Sequence, residues 1–237
     1  MGLDELVARL TDAFGAELRA VVLYGSAAAG ERIAARSNYN VLVLVDTLST
    51  DRLQAAAPTT QGWIKAGNPA PLTLTLREWR ASADIFPMEY ADILERHRVL
   101  HGAAPMEGIA VHAADLRLQV EQQAMGKVLQ LRQGTMAAGN DPAAQAALLA
   151  ASLSAVMIVF RAVVRMHGRV PAAAYDALAR EVGELAGFDA EPFVQVVRHV
   201  RREQELRGSA AALVLSGYLG GMEQLVHHVN HFAPRPA

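Results

Sequence analysis

Two short apolar runs, separated by a fixed polar interval, constrain this chain more than any bulk property. The first, Leu18–Tyr24, is rich in Val and Leu and stops at Gly25-Ser26. The second, Asn40–Val45, is continuously apolar after its first residue. A β-rich run that ends at Gly reads as a strand, and an unbroken apolar run of this length reads as a strand covered on both faces. A sheet covered on both faces needs helical layers above and below it. The interval 25–39 then holds a turn and a short helix.

The rest of the first half supplies those layers. Leu3, Leu6, Val7, Leu10 and Phe14 have the spacing of an amphipathic helix over 3–16. A helical stretch follows over about 49–66, and residues 71–76 alternate like a strand. Thr75 with Glu78 fits a capping box that opens a short helix through Trp79. Residues 88–94 read as the next strand, and 99–102 as a short fifth. After 105–108 the texture changes, and from about 112 only helical periods appear. They cover 116–133, a helix opened by Asp141 and Pro142 and closed at Gly168, 172–186 closed at Gly187, 192–206 closed at Gly208, and a last helix capped by Ser209. The expected architecture is an α/β (α+β) domain with a mixed sheet over 1–110, followed by an all-α five-helix bundle over 111–237.

Composition then excludes several classes. Net charge is −2, with 10 basic and 13 acidic residues in 1–111 and 12 and 11 in 112–237. Neither half is a basic footprint, which argues against a nucleic-acid binder. With no cysteine, disulfides, thiolate metal sites and Cys nucleophiles are excluded together. The acidic start lacks the apolar core of a signal peptide, so the expected location is cytoplasmic. Residues 142–160 carry no charge, but they are Ala-rich and contain Gln145, Ser152 and Ser154. That segment reads as the buried helix of a bundle and not as a membrane span.

The first strand, its turn and the second strand also make a chemical constellation. Gly25 frees the backbone for phosphate oxygens and Ser26 adds a hydroxyl. Ser37 precedes Asn38, and Asn38 and Asn40, two apart, project from one face of the second strand. This layout resembles the nucleotidyltransferase superfamily, whose pattern is an apolar strand, Gly-Ser, roughly ten residues, then Ser-Asp-x-Asp leading a second apolar strand. The match runs from Val21 to Val45, and the helical half resembles that of two-domain bacterial nucleotidyltransferase-domain proteins. The resemblance implies that Gly25, Ser26 and Ser37 hold a nucleoside triphosphate. It implies that positions 38, 40 and 89 hold Mg²⁺, with Glu89 as the third acid on the strand over 88–94.

The departure is as informative as the match. Asparagine stands at both metal-binding aspartate positions. An amide oxygen can ligate Mg²⁺ but brings no charge, and each lost carboxylate contact is on the order of several kcal/mol of Coulomb energy even at an effective dielectric of ~20. Glu89 alone is vestigial as a metal anchor. The sequence therefore reads as a degenerate transferase, a pseudoenzyme that serves as a nucleotide-binding or protein-interaction module. Two alternatives stay open: an active Mg²⁺-dependent nucleotidyltransferase acting on a small molecule or protein, and a helix-mediated homodimer whose first half is structural.

Weaker signals lie in the helical half. His227, His228 and His231 form H-H-x-x-H, with His227 and His231 on one helix face, although no third metal ligand is evident. Arg161 and His167 loosely resemble the Arg-x₄₋₆-His motif of HEPN ribonucleases. Trp63 and Trp79 read as packing anchors.

Overall fold

A computed structural model describes residues 1–28, 39–103 and 105–233. They divide into two compact units, Met1–Val111 and His112–Ala237.

The first unit is built on a four-stranded mixed sheet. Strand β1 (Leu18–Tyr24) pairs antiparallel with β2 (Asn40–Val45) on one side and with β4 (His97–Gly102) on the other, and β3 (Leu72–Thr75) pairs parallel to β2. The order is β3-β2-β1-β4. Strand alternation sends Val21, Leu23, Val41, Val43 and Val45 to one face, where they pack on Leu6, Leu10 and Phe14 of α1 (Leu3–Phe14) and Trp63 of α2 (Thr50–Lys65). Ala20, Val22, Leu42 and Leu44 go to the other face. There they meet Trp79 of α3 (Leu76–Ala81) and Tyr90 and Ile93 of α4 (Pro87–Glu95). Both faces are covered, as the continuous apolar run of β2 requires.

Local chemistry fixes the second face. Both bonds of the Thr75/Glu78 capping box form at the start of α3. The Trp79 indole N–H donates to the Pro105 carbonyl at 2.9 Å, the ring stacks on Tyr90 at 4.3 Å, and the Tyr90 hydroxyl donates to the Trp79 carbonyl at 2.8 Å. Trp63 and Trp79 are fully buried packing anchors.

Four differences from the sequence reading have physical causes. Residues 88–94 are not a strand but most of α4. Pro87 occupies the first turn, and Pro87, Tyr90 and Ile93 recur every three residues on the buried face, a period that outweighs the apparent alternation. The short strand foreseen at 99–102 is β4, the fourth strand and not a fifth. The helix foreseen over 192–206 stops at Val200 in α8 (Glu191–Val200), just before Arg202 takes a left-handed φ of 62°. Ser209 is the first residue of α9 (Ser209–His231), preceded by Gly208 at the cap.

The second unit is helical: α5 (Ala113–Ala138), α6 (Pro142–Met166), α7 (Tyr175–Ala186), α8 and α9. The Asp141 side chain accepts from the Ala143 N–H at 2.9 Å, and Pro142 takes the first turn of α6. Helix α6 is long and apolar enough to cross a bilayer, yet half of its most apolar window is buried inside the protein. Its Phe160 packs on Phe188 and Phe193, and Phe193 packs on Tyr218 of α9 at 4.3 Å.

One glycine is irreplaceable for steric reasons. Gly102 has φ +69°, and a Cβ there would lie 1.9 Å from the Arg19 carbonyl oxygen on β1. Gly102→Ala is expected to lower the urea unfolding free energy by about 2–4 kcal/mol, through strain and loss of the β1–β4 register. Gly2→Ala, where a Cβ meets nothing within 4 Å, should change it by less than about 0.5 kcal/mol.

Candidate nucleotide-binding site

The site lies where β1 ends. Gly25 leaves the strand with φ +76° and opens a single 3₁₀ turn, Gly25–Ala27. Its N–H donates at 3.0 Å to the carbonyl of Arg96, the residue that closes α4. Asn40 opposes Tyr24 in the β1–β2 ladder, and His97 opposes Tyr24 in the β1–β4 ladder. The turn is therefore framed by the first residues of the two flanking strands. A side-chain carbon at Gly25 would come within 3.2 Å of Asp92 Oδ2 and 3.3 Å of the Asn40 side-chain nitrogen. Any residue larger than glycine would fill the space between these two groups.

Of the residues singled out from sequence, Gly25 and Asn40 come together, and Ser26 sits in the same turn. Ser37 and Asn38 lie outside the described residues. Glu89 is exposed on α4, one helical turn before Asp92, and not on a strand. The acid beside the turn is Asp92. From sequence, Asp92 reads only as part of an ion cluster with Glu95, Arg96 and His97 at the strand end, because a strand over 88–94 would turn it to the face opposite Glu89. On a helix the two acids, three apart, share a side. Pro87 at a helix start was the signal that separates the two cases. Asn68 was also missed: its Oδ1 accepts the Tyr39 N–H at 3.0 Å and fixes the lead into β2.

Electrostatics at this end are acidic. Burial pushes the half-buried Tyr24 phenol up to about 12, and the charges of Asp92 and then Glu89 add to the shift. Tyr24 is thus a neutral phenol throughout the physiological range. His97 Nδ1 lies 2.8 Å from the Ile93 carbonyl and so carries the proton, leaving Nε2 as the acceptor nitrogen in the neutral ring. The two-metal arrangement that the sequence resemblance implies does not fit the described residues. Asn40 contributes a neutral amide where a charged ligand is needed, and among the described residues no three acidic or histidine side chains cluster to hold a metal ion.

The other sequence signals resolve differently. Arg161 donates to the Ala173 carbonyl at 3.4 Å and lies over the Tyr175 ring, whereas His167 turns to α9. The Arg-x₄₋₆-His pair does not converge. The His227 and His231 rings approach at 4.2 Å on one face of α9, but His231 Nδ1 is engaged with the His227 carbonyl. The third histidine, His228, meets His167 instead: their Nε2 atoms are 2.9 Å apart, and the ring of Phe232 packs edge-on against His167.

No family model matches the sequence, and no curated protein matches it either. Solved structures do match. The chain shares its fold, a mixed sheet with flanking helices followed by a helical region, with a solved adenyltransferase. A crystal structure of the spectinomycin adenyltransferase AAD(9) from Enterococcus faecialis, with ATP and spectinomycin, superposes with TM-score 0.60 at 12% identity, covering 94% of this chain and 97% of that one. A toxin-antitoxin structure with AMP-PNP aligns over 57% of this chain and 95% of that one at 18% identity, with a TM-score of 0.30.

The His167–His228 contact makes a pH prediction. Burial lowers both imidazoles below their ordinary range; the facing His228 and then Arg169 add to this at His167, and His227 adds to it at His228. The folded state therefore binds these protons less readily than the unfolded chain. The stability involved is fully present above the ordinary histidine value of ~6.5 and is lost as pH falls through the lowered values. Urea midpoints should drop between pH 7 and pH 5, and His167→Phe should flatten that dependence. An equal slope in wild type and variant would contradict the assignment.

Proposed function

We propose that this chain binds a nucleoside triphosphate at the Gly25 turn and no longer performs the two-metal nucleotidyl transfer associated with its fold. The observation that carries this reading is the neutral Asn40 amide at the Gly25 turn, on the strand position where the reaction needs a carboxylate. The Gly25 N–H is taken by the Arg96 carbonyl, and the lack of a Cβ at Gly25 lets a phosphate group approach the backbone of the turn. The neighbouring adenyltransferase fold holds ATP. Removing carboxylate charge from β2 weakens Mg²⁺ retention and, by the same change, reduces repulsion of a phosphate that arrives without metal. The product is a sensing or partner-binding module and not a catalyst.

A second reading has an observation of its own. The Asp92 carboxylate beside the turn, with Glu89 on the same side of α4, supplies acidic oxygens from the helix in place of the strand. Under that reading the protein retains Mg²⁺-dependent transfer to a small molecule or protein.

Calorimetric titration with ATP and GTP, with and without Mg²⁺, alongside a pyrophosphate-release assay, separates the two. The expected outcome is binding whose affinity changes by less than about tenfold with Mg²⁺, or ~1.4 kcal/mol, and no pyrophosphate. Tight binding only with Mg²⁺, together with pyrophosphate release, would establish the second reading. The double substitution Asn38→Asp/Asn40→Asp should raise Mg²⁺ affinity in the presence of nucleotide. Gly25→Val should weaken nucleotide binding at least tenfold with folding retained by circular dichroism. Absence of binding to any nucleotide would leave a scaffold role.

A further inference from the structure

Helix α5 is apolar on two sides, and only one of them is used within the chain. Leu116, Val120, Ala124, Val128 and Leu131 are buried in the bundle. Leu118, Met125, Leu129 and Met136 are exposed at 62, 43, 49 and 75%. Their separations of seven, four and seven residues place them within about 20° of one line along the helix, nearly opposite the buried side. Adding the exposed Gln122 and Arg132 completes a heptad seam of six alternating a and d positions, about 27 Å long.

The seam is self-complementary in one orientation. Turned antiparallel about a two-fold axis level with residue 127, each position i faces position 254 − i of a second copy. Leu118 then meets Met136, Met125 meets Leu129, and Gln122 meets Arg132. Apolar side chains face apolar ones, polar faces polar, and each layer joins an a position to a d position. The same rotation brings Arg132 beside Glu121 of the second copy. Within one copy Arg132 bonds Glu223 at 2.9 Å and Arg117 bonds Glu121 at 2.8 Å, so association links an exposed and a partly buried ion pair into one network. A parallel arrangement would instead face Arg132 with Arg132.

We propose that two copies of this chain associate through α5 as an antiparallel, isologous pair. The four Leu and Met side chains bring roughly 400 Å² per copy, about half of the ~800 Å² per partner of a standard interface. Gln122, Arg132 and Glu121 supply the polar part. The inference is independent of nucleotide binding, since it rests on the helical unit alone.

The absence of cysteine makes the test clean. Sedimentation of the full chain over roughly 1–100 µM, the range for a modest interface, should show about twice the 25.4 kDa monomer mass at the upper end. Met125→Glu/Leu129→Glu should be monomeric throughout, with a melting curve that matches the wild type's at the lowest concentration, where the wild type too is monomeric, and the milder Leu118→Gln/Leu129→Gln should weaken association at least tenfold. Gln122→Cys/Arg132→Cys should form a disulfide-linked dimer on mild oxidation, and neither single Cys variant should. A wild-type chain that stays monomeric throughout would overturn the proposal. So would a dimer that survives the seam substitutions, or cross-linking of Gln122→Cys to itself, which marks a parallel pair.

Discussion

The hydrogen bond from the Gly25 N–H to the Arg96 carbonyl ties this domain together. It joins the end of the central strand to the end of α4, and Gly25, at φ +76°, turns the chain out of the strand directly after it. With that bond made, α4 lies so that Asp92 reaches the turn and Tyr90 and Ile93 cover β1 and β2. β4 begins directly after Arg96 and pairs back along β1 to Gly102, where a second positive-φ glycine admits the Arg19 carbonyl. One strand thus organises the sheet, the second helical layer and the candidate site together.

The charge distribution at that site follows from where its acids are placed. In the pattern that the sequence resembles, carboxylates lead the second strand. Here the strand offers Asn40, while the acidic oxygens come from Asp92 and Glu89 on a helix at the side. Their field is strong enough to add to the burial shift of Tyr24. A cation brought by a nucleotide would meet fewer fixed ligands than in a two-metal site, and a phosphate would meet less repulsion from the strand.

Much of the fold was legible because its strongest signals are local. Strands β1 and β2 run over the residues that their apolar patterns mark, and Thr75/Glu78 and Asp141/Pro142 cap the helices that they announce. The segment 88–94 was not, since Met-Glu-Tyr opens like an alternating strand although Asp92 breaks that period, while Pro87, Tyr90 and Ile93 keep a period of three. Only packing against Trp79 decides between them. The same ambiguity moved the site's acid from Glu89 to Asp92. His228 could not be matched to His167 from sequence, because the contact joins residues 61 apart through the docking of α9 on α6. The second apolar side of α5 was hidden for a different reason: a helix apolar on two sides shows no single clear stripe.

The central claim is that the Gly25 turn binds a nucleotide without needing strand carboxylates and metal. Amide chemical-shift perturbation by ATP in the presence of EDTA tests it most directly. The account predicts that the largest shifts fall on Tyr24, Gly25, Asn40 and Arg96, with the β1 core beyond Val22 unmoved. Shifts that appear only after Mg²⁺ is restored, or that fall away from the Gly25 turn, would contradict it.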